Sequence, residues 1–280
     1  MNPERAHELR PRLILVAIAV ACVSVPYLTW QQTWFGRRLS QAEVGQYLAD
    51  QKHPRKIQHA LTFLGEQMAK NDPAARVWYP QIVQAARHPA VEIRTLAAWT
   101  MGQDNQSLLL HRALPGLLHD PEVLVRRNAA LALVRFGDER GRPELAAMLR
   151  PLAIRSPEAG IVSLRVQLDQ VVGRGSVIAR VQTPSGRTVE LISPARSHVA
   201  AVQAPDGARV AANDAVASLG PDQDDVWEAL RALYLIGDAE DLPAVDVYAA
   251  GAAGASDRVS RQAVETARAI RKRTAPNPTR

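Results

Sequence analysis

The sequence holds one cysteine, Cys22, in 280 residues. That excludes a disulfide framework, a thiolate zinc site and a Cys-x-x-Cys redox pair. Aromatics are scarce, at 5%, so a core must be built from Ala, Leu and Val rather than from large rings. Lysine is missing altogether between Lys70 and Lys272. What remains is 47% hydrophobic and 22% charged, a globular composition that excludes a disordered or fibrous chain. The net charge of +6 has a local origin, because Arg268, Arg271, Lys272, Arg273 and Arg280 all follow the last acid, Glu265. The charge sits in a tail and not on a face, so no nucleic-acid partner is expected.

Leu13 to Trp30 contains no charged residue. A helix of that length spans roughly 27 Å, close to a bilayer core of about 30 Å. Arg10 and Arg12 precede it, and Tyr27, Trp30, Trp34 and Phe35 gather at its far end as an interfacial belt would. The segment is expected to be an uncleaved transmembrane anchor. Cleavage after Ala19-Val20-Ala21 and lipid attachment at Cys22 are the alternatives. Arg5, Arg10 and Arg12 on one side nearly balance Arg37 and Arg38 on the other. The short N-terminal flank favours an N-inside orientation, which would put the bulk of the chain in the periplasm of a bacterial inner membrane.

Helical period dominates from Ala42 to Arg150. His88-Pro89-Ala90-Val91-Glu92-Ile93-Arg94, followed by Leu96-Ala97-Ala98-Trp99, returns 32 residues later. The second copy is Asp120-Pro121-Glu122-Val123-Leu124-Val125-Arg126, followed by Asn128-Ala129-Ala130-Leu131, and a looser copy begins at His53-Pro54. Proline just inside a helix start supplies a fixed φ and loses no hydrogen bond. Paired alanines let neighbouring helices approach. These stretches resemble HEAT-like repeats (D-P-x-V-R-x-x-A-A-x-A-L), in a form shorter than the usual ~40–47 residues. A further copy stands 100 residues on, where Ala129, Ala132, Leu133, Gly137, Asp138 and Pro143 are matched by Ala229, Ala232, Leu233, Gly237, Asp238 and Pro243. The helical array therefore stops near Arg150 and resumes near Asp224.

Between those points the period becomes that of strands, as in Ile161-Val162-Ser163-Leu164-Arg165-Val166. The segment from Ser156-Pro157 through Asp169, Val172, Gly175 and Ile178 is echoed from Ser193-Pro194 through Asp206, Val210, Asn213 and Val216. Gly175 and Asn213 stand where a turn calls for positive φ. The two halves resemble the biotinyl/lipoyl-attachment family. That resemblance implies a small β-sandwich of two quasi-symmetric halves with a lysine at the tip of its central hairpin. The matching hairpin here is Thr183-Pro184-Ser185-Gly186-Arg187-Thr188 and has no lysine. Arginine stays protonated and is no acyl acceptor, so the carrier role is excluded. Similar half-motifs occur in periplasmic adaptors of efflux and secretion systems, but those place a long helical hairpin between the halves.

Little else suggests chemistry. The seven histidines form neither His-Glu-x-x-His nor a paired zinc spacing. His53, His88 and His119 fall at repeat boundaries, as turn or cap residues. Gly173-Arg174-Gly175 starts like a dinucleotide fingerprint, but Ile178 replaces the third glycine and no helix follows. Arg94 and Arg126 read as residues that order the stack rather than as a basic ladder. Trp78, Trp99 and Trp227 are either core or partner anchors. No metal, cofactor or small-molecule substrate is indicated.

The sequence thus predicts an α+β multidomain chain. It has an N-terminal flank (1–12), a transmembrane anchor (13–30), an α-solenoid of short HEAT-like repeats (40–150), an inserted all-β biotinyl/lipoyl-like barrel-sandwich (154–222), resumed helices (223–273) and a disordered tail (274–280). The function expected is a non-enzymatic, membrane-anchored scaffold or assembly factor of the bacterial envelope that contacts protein partners. The candidate contact is the hairpin tip, Pro184, Ser185, Gly186 and Arg187. An accessory subunit of an efflux or secretion system is the first alternative, and an enzyme resembling HEAT-like bilin lyases is the second.

Overall fold

The computed structural model describes residues 38–251 and 254–275. Within them, consecutive helices pack in five pairs. Gln41–Ala49 (α1) packs on Pro54–Ala69 (α2), Tyr79–Ala85 (α3) on Val91–Met101 (α4), and Leu108–Leu117 (α5) on Val123–Arg135 (α6). Arg142–Met148 (α7) packs on Gln223–Ile236 (α8), and Leu242–Ala249 (α9) on Asp257–Thr274 (α10). The second helices α2, α4, α6, α8 and α10 stack on one another in that order.

Local sequence accounts for the helix starts. Ser40 and Glu43 form a reciprocal capping box at α1, which satisfies two otherwise orphaned N–H groups. His88 Nδ1 accepts the Ala90 N–H at 3.0 Å before α4, and Asp120 Oδ1 accepts the Glu122 N–H at 2.9 Å at the same place before α6. After the second helices, Asp72, Asp104 and Asp138 each accept the N–H two residues on, at 2.9, 2.9 and 3.0 Å. Asp238 caps the equivalent turn after α8. Pro80, Pro143 and Pro243 follow within the first turn of α3, α7 and α9, where their missing N–H costs nothing.

Small residues set the helix spacing. Ala97, Ala98, Ala129, Ala130 and Ala229 are fully buried among Ile93, Leu110, Leu114, Leu133, Leu145 and Leu230. Gly141 is tighter still, since a Cβ there would meet Ala130 Cα at 2.8 Å and Ala130 O at 3.0 Å. Both are backbone atoms and cannot yield. Gly141→Ala is therefore expected to cost about 1–3 kcal/mol by overpacking, measured by urea denaturation with the slope unchanged.

Eight strands lie between α7 and α8: Leu152–Arg155 (β1), Gly160–Leu164 (β2), Val171–Val172 (β3), Val177–Gln182 (β4), Thr188–Ile192 (β5), Ser197–Val202 (β6), Arg209–Val210 (β7) and Ala215–Pro221 (β8). They form two four-stranded antiparallel sheets, in the orders β1-β8-β6-β3 and β5-β4-β2-β7. Replacing β1, β8, β6 and β3 by β5, β4, β2 and β7 converts one order into the other, so the halves are related by a quasi-two-fold exchange. The hydrogen bonds obey it. Ser156 donates to Asp214 O and accepts from the Asn213 N–H, while Ser193 donates to Ser176 O and accepts from the Gly175 N–H. Gly175 and Asn213 have φ of 81° and 72°. Ile178, Val181, Val199, Val216 and Leu219 fill the space between the sheets.

The expected fold class requires correction. The described chain is helical with small antiparallel sheets, two open ones in place of a barrel. No helix in it is long and apolar enough to cross a membrane. Its longest, α10, carries Asp257, Arg258, Arg261, Glu265, Arg268, Arg271, Lys272 and Arg273, charges that lipid would not accept. The transmembrane helix expected at Leu13–Trp30 lies outside the described residues, as does the flank 1–12 and most of the tail.

The insert divides one helix pair instead of separating two. Arg127 of α6 reaches Asp225 of α8 at 2.6 Å, and Tyr248 of α9 donates to Leu149 O at 2.9 Å. One apolar core runs from α6 and α7 into α8, α9 and α10. It shares no residue with the core of the insert.

Candidate functional site

The second helices carry the site. Their exposed sides line two adjoining hollows that share Trp99 and Asn128. The larger, about 800 Å³, runs over α4, α6, α8 and α10 between Gln103, Leu131, Arg135, Arg231, Leu235 and Gln262. The smaller, about 530 Å³, lies over α2, α4 and α6 between Gln58, Thr62, Leu96, Leu124 and, from the insert, Arg174. Together they make a groove across the array, lined by apolar residues such as Leu96, Trp99, Leu131 and Leu235 and by polar ones such as Gln58, Gln103 and Arg135.

Trp99 divides the groove. The Trp99 ring rests on Gly65 of α2, where a Cβ would come within 2.3 Å of Cζ3, yet 38% of the residue stays exposed. It is both a packed residue and an open aromatic surface. Trp227 is covered instead, with the Arg258 and Arg231 guanidiniums 3.6 and 4.5 Å from its ring. Trp78 donates to Gln41 Oε1 at 2.6 Å and packs on Gly45. Tyr234 and Leu235, 43% and 61% exposed, extend the open apolar surface along α8.

The charges divide into used and unused. Arg94 grips both oxygens of Asp120 at 2.7 and 3.0 Å and donates to His88 O and Pro89 O. Arg126 repeats this with Asp120 O, Pro121 O and Glu144. Both bind one pair to the next. Asp120 is held below the usual carboxylate range, chiefly by Arg94. Asp138 is held far below it, first by Arg140 and also by His111, whose Nε2 lies 2.6 Å away. Asp225 is pushed up by burial, against the attraction of Arg127. By contrast, among the described residues the Arg135 guanidinium, in the groove, is hydrogen-bonded to the Gln103 amide oxygen alone, at 2.7 Å.

The insert borders the smaller hollow through Arg174. It joins the array between the C-terminus of α7 and the N-terminus of α8, and its Gly173–Ser176 turn meets the N-terminus of α4, where Arg174 Nη1 lies 2.9 Å from Glu92 Oε1. The span crosses the end of α6, roughly 20 Å at ordinary helix spacing. The Glu92 carboxyl is lowered by its own backbone N–H and by Arg174. The fingerprint-like Gly173-Arg174-Gly175 is thus a turn between β3 and β4.

The hairpin tip takes no part in the groove. Pro184, Ser185, Gly186 and Arg187 are exposed at the opposite end of β4, roughly 20 Å along the strand from the Arg174 turn. The tip is closed by Gly186 N–H to Thr183 O at 2.9 Å and Thr183 N–H to Arg187 O at 2.8 Å. Gly186 has φ 82°, and Arg187 pairs with Glu158. Sequence reasoning picked out Trp99, and Arg174 only as part of the fingerprint-like run, but missed Leu235 and Gln58. Among the described residues, no group of three or more His, Cys, Asp or Glu is placed to hold a metal.

A family model described as HEAT repeats matches residues 79–155, from α3 to the end of β1. No curated protein matches the chain. Among solved structures, a single-chain, multi-domain long-chain acyl-CoA carboxylase is 18% identical, with a TM-score of 0.25. The likeness covers 36% of this chain and 12% of that enzyme, and at that level it carries no argument. Residues 79–155 are HEAT-like.

Proposed function

We propose that this chain is a non-enzymatic scaffold or assembly factor that holds a protein partner along the groove of its second helices. The observation that carries this reading is the continuity of the groove from Gln58 to Gln262. Solenoids offer extended surfaces of this kind, and an exposed tryptophan beside tyrosine and arginine is what partner contacts favour. We read the insert as a biotinyl/lipoyl-like sandwich without its acceptor lysine. Its quasi-two-fold pairing and the joining of its halves through Pro184–Arg187 support that reading. Because only this tight tip joins the halves, the scaffold is preferred to an accessory subunit of an export system.

The test is a photo-reactive residue placed at Leu235, in the groove, or at Val247, which is 54% exposed on the outer helix α9. In the native cell, Leu235 is expected to yield one discrete cross-linked protein, abolished by Leu131→Glu, and Val247 none. Equal labelling at the two positions, or none at either, would defeat the reading.

A further inference from the structure

The geometry points to an ionic latch, Arg174 on Glu92, by which the β-insert covers and uncovers the Gln58–Trp99 end of the groove. This deepens the reading of the groove as a partner site by assigning its regulation. Three observations carry it. First, the cores are separate: no residue of 152–221 belongs to either helical cluster, and no helical residue belongs to that of the insert. The insert therefore shares no apolar core with the array, the term that would make the contact rigid.

Second, its covalent tethers sit together. β1 and β8 are paired neighbours, with Leu152 opposite Leu219, so the insert leaves and re-enters the array at one place and can swing about it. Arg196 pairs with Asp222 beside that pivot and does not hold the far end. Third, the far contact is weak and well placed. The side chains of Arg174 and Glu92 are 40% and 50% exposed, and an ion pair so open to water adds little and is screened by salt. Both residues line the smaller hollow with Gln58, Thr62 and Trp99, and Gly173 and Gly175 flank the arginine. Breaking the pair opens that end of the groove. Because the hairpin tip lies at the other end of β4, the same swing moves Pro184–Arg187.

The experiment uses the full chain with Cys22→Ser and Thr62→Cys, read as the rate of thiol labelling by N-ethylmaleimide, a neutral reagent. At low salt, Glu92→Gln and Arg174→Ala are each expected to speed labelling about two- to fivefold, as loss of an exposed pair allows. Sodium chloride at about 0.5 M should accelerate the parent similarly, where screening is nearly complete, and leave both variants unchanged. The double reversal Glu92→Arg with Arg174→Glu should restore the slow rate, which a merely structural effect of either substitution would not do. A cysteine at Leu235, in the open hollow, should not respond. Labelling at Thr62→Cys that ignores salt and both single variants, or a double reversal that stays fast, would overturn the latch. No partner enters this measurement, so it stands or falls separately from the cross-linking at Leu235.

Discussion

Replacing residues 151–221 by a linker of about four residues should leave a helical array that still folds and unfolds in one transition. The expected loss is under about 1 kcal/mol, or a fall of a few degrees in Tm for a chain of this size. Leu152 and Leu219 are direct antiparallel partners, about 5 Å apart, and the ends to be joined, Arg150 and Asp222, lie only two and three residues outside that pair, within reach of a short helix connection. Leu149, which is buried at the end of α7, and Asp222, which caps α8, both remain. So do the Arg127–Asp225 pair and the core shared by Val134, Leu145, Met148, Leu230 and Leu233. The excised 152–221 has a core of its own and should give a β-type circular dichroism spectrum and a separate melt. Truncation after Arg150, which also removes α8, α9 and α10, should instead strip that core and cause aggregation. If the linked array fails to fold while the truncated one succeeds, the division of α7 from α8 described above is wrong.

Arg94→Ala should be the most damaging polar substitution, at about 3 kcal/mol. The side chains of Arg94 and Asp120 are only 13% and 7% exposed, and removing one member of a shielded pair strands the other. Four hydrogen bonds go with it, of which the two to Asp120 tie one helix pair to the next. Arg94→Lys should recover only part of the loss, since an ammonium cannot grip two carboxylate oxygens and two carbonyls at once. The pH dependence has a definite sign. The Asp120 carboxyl is lowered by folding, first by Arg94, so its contribution is fully present above the unfolded value near 3.9 and is lost as pH falls through the folded value. Stability measured by denaturation at pH 7 and below pH 4 should therefore show the difference between parent and Arg94→Ala shrinking in acid. A difference that stays constant would remove the ion pair as the cause.

Much of this molecule was legible because its repeats are local. The return of His88–Trp99 at Asp120–Leu131 marked α4 and α6 as equivalent. The return of Ala129–Pro143 at Ala229–Pro243 did the same for α6 with α8 and α7 with α9. Arg94 and Arg126 were legible as stack-ordering residues, since each bonds carbonyls five and six residues back. The echo of Ser156 by Ser193 likewise carried the exchange of halves in the insert, because Gly175 and Asn213 signal the same turn.

The groove was not legible in this way. Trp99 looks the same in the sequence whether it is buried or open. Only the approach of α2 at Gly65, thirty-four residues away, decides that one side of the ring is covered and the other is free. That Arg174 meets Glu92, while Pro184–Arg187 stand at the far end of β4, depends on the direction in which the insert leaves α7. Periodicity reports which side of a helix or strand is buried, through spacings of a few residues. It carries nothing about contacts 82 residues apart, which arise only when separately folded pieces are set against one another.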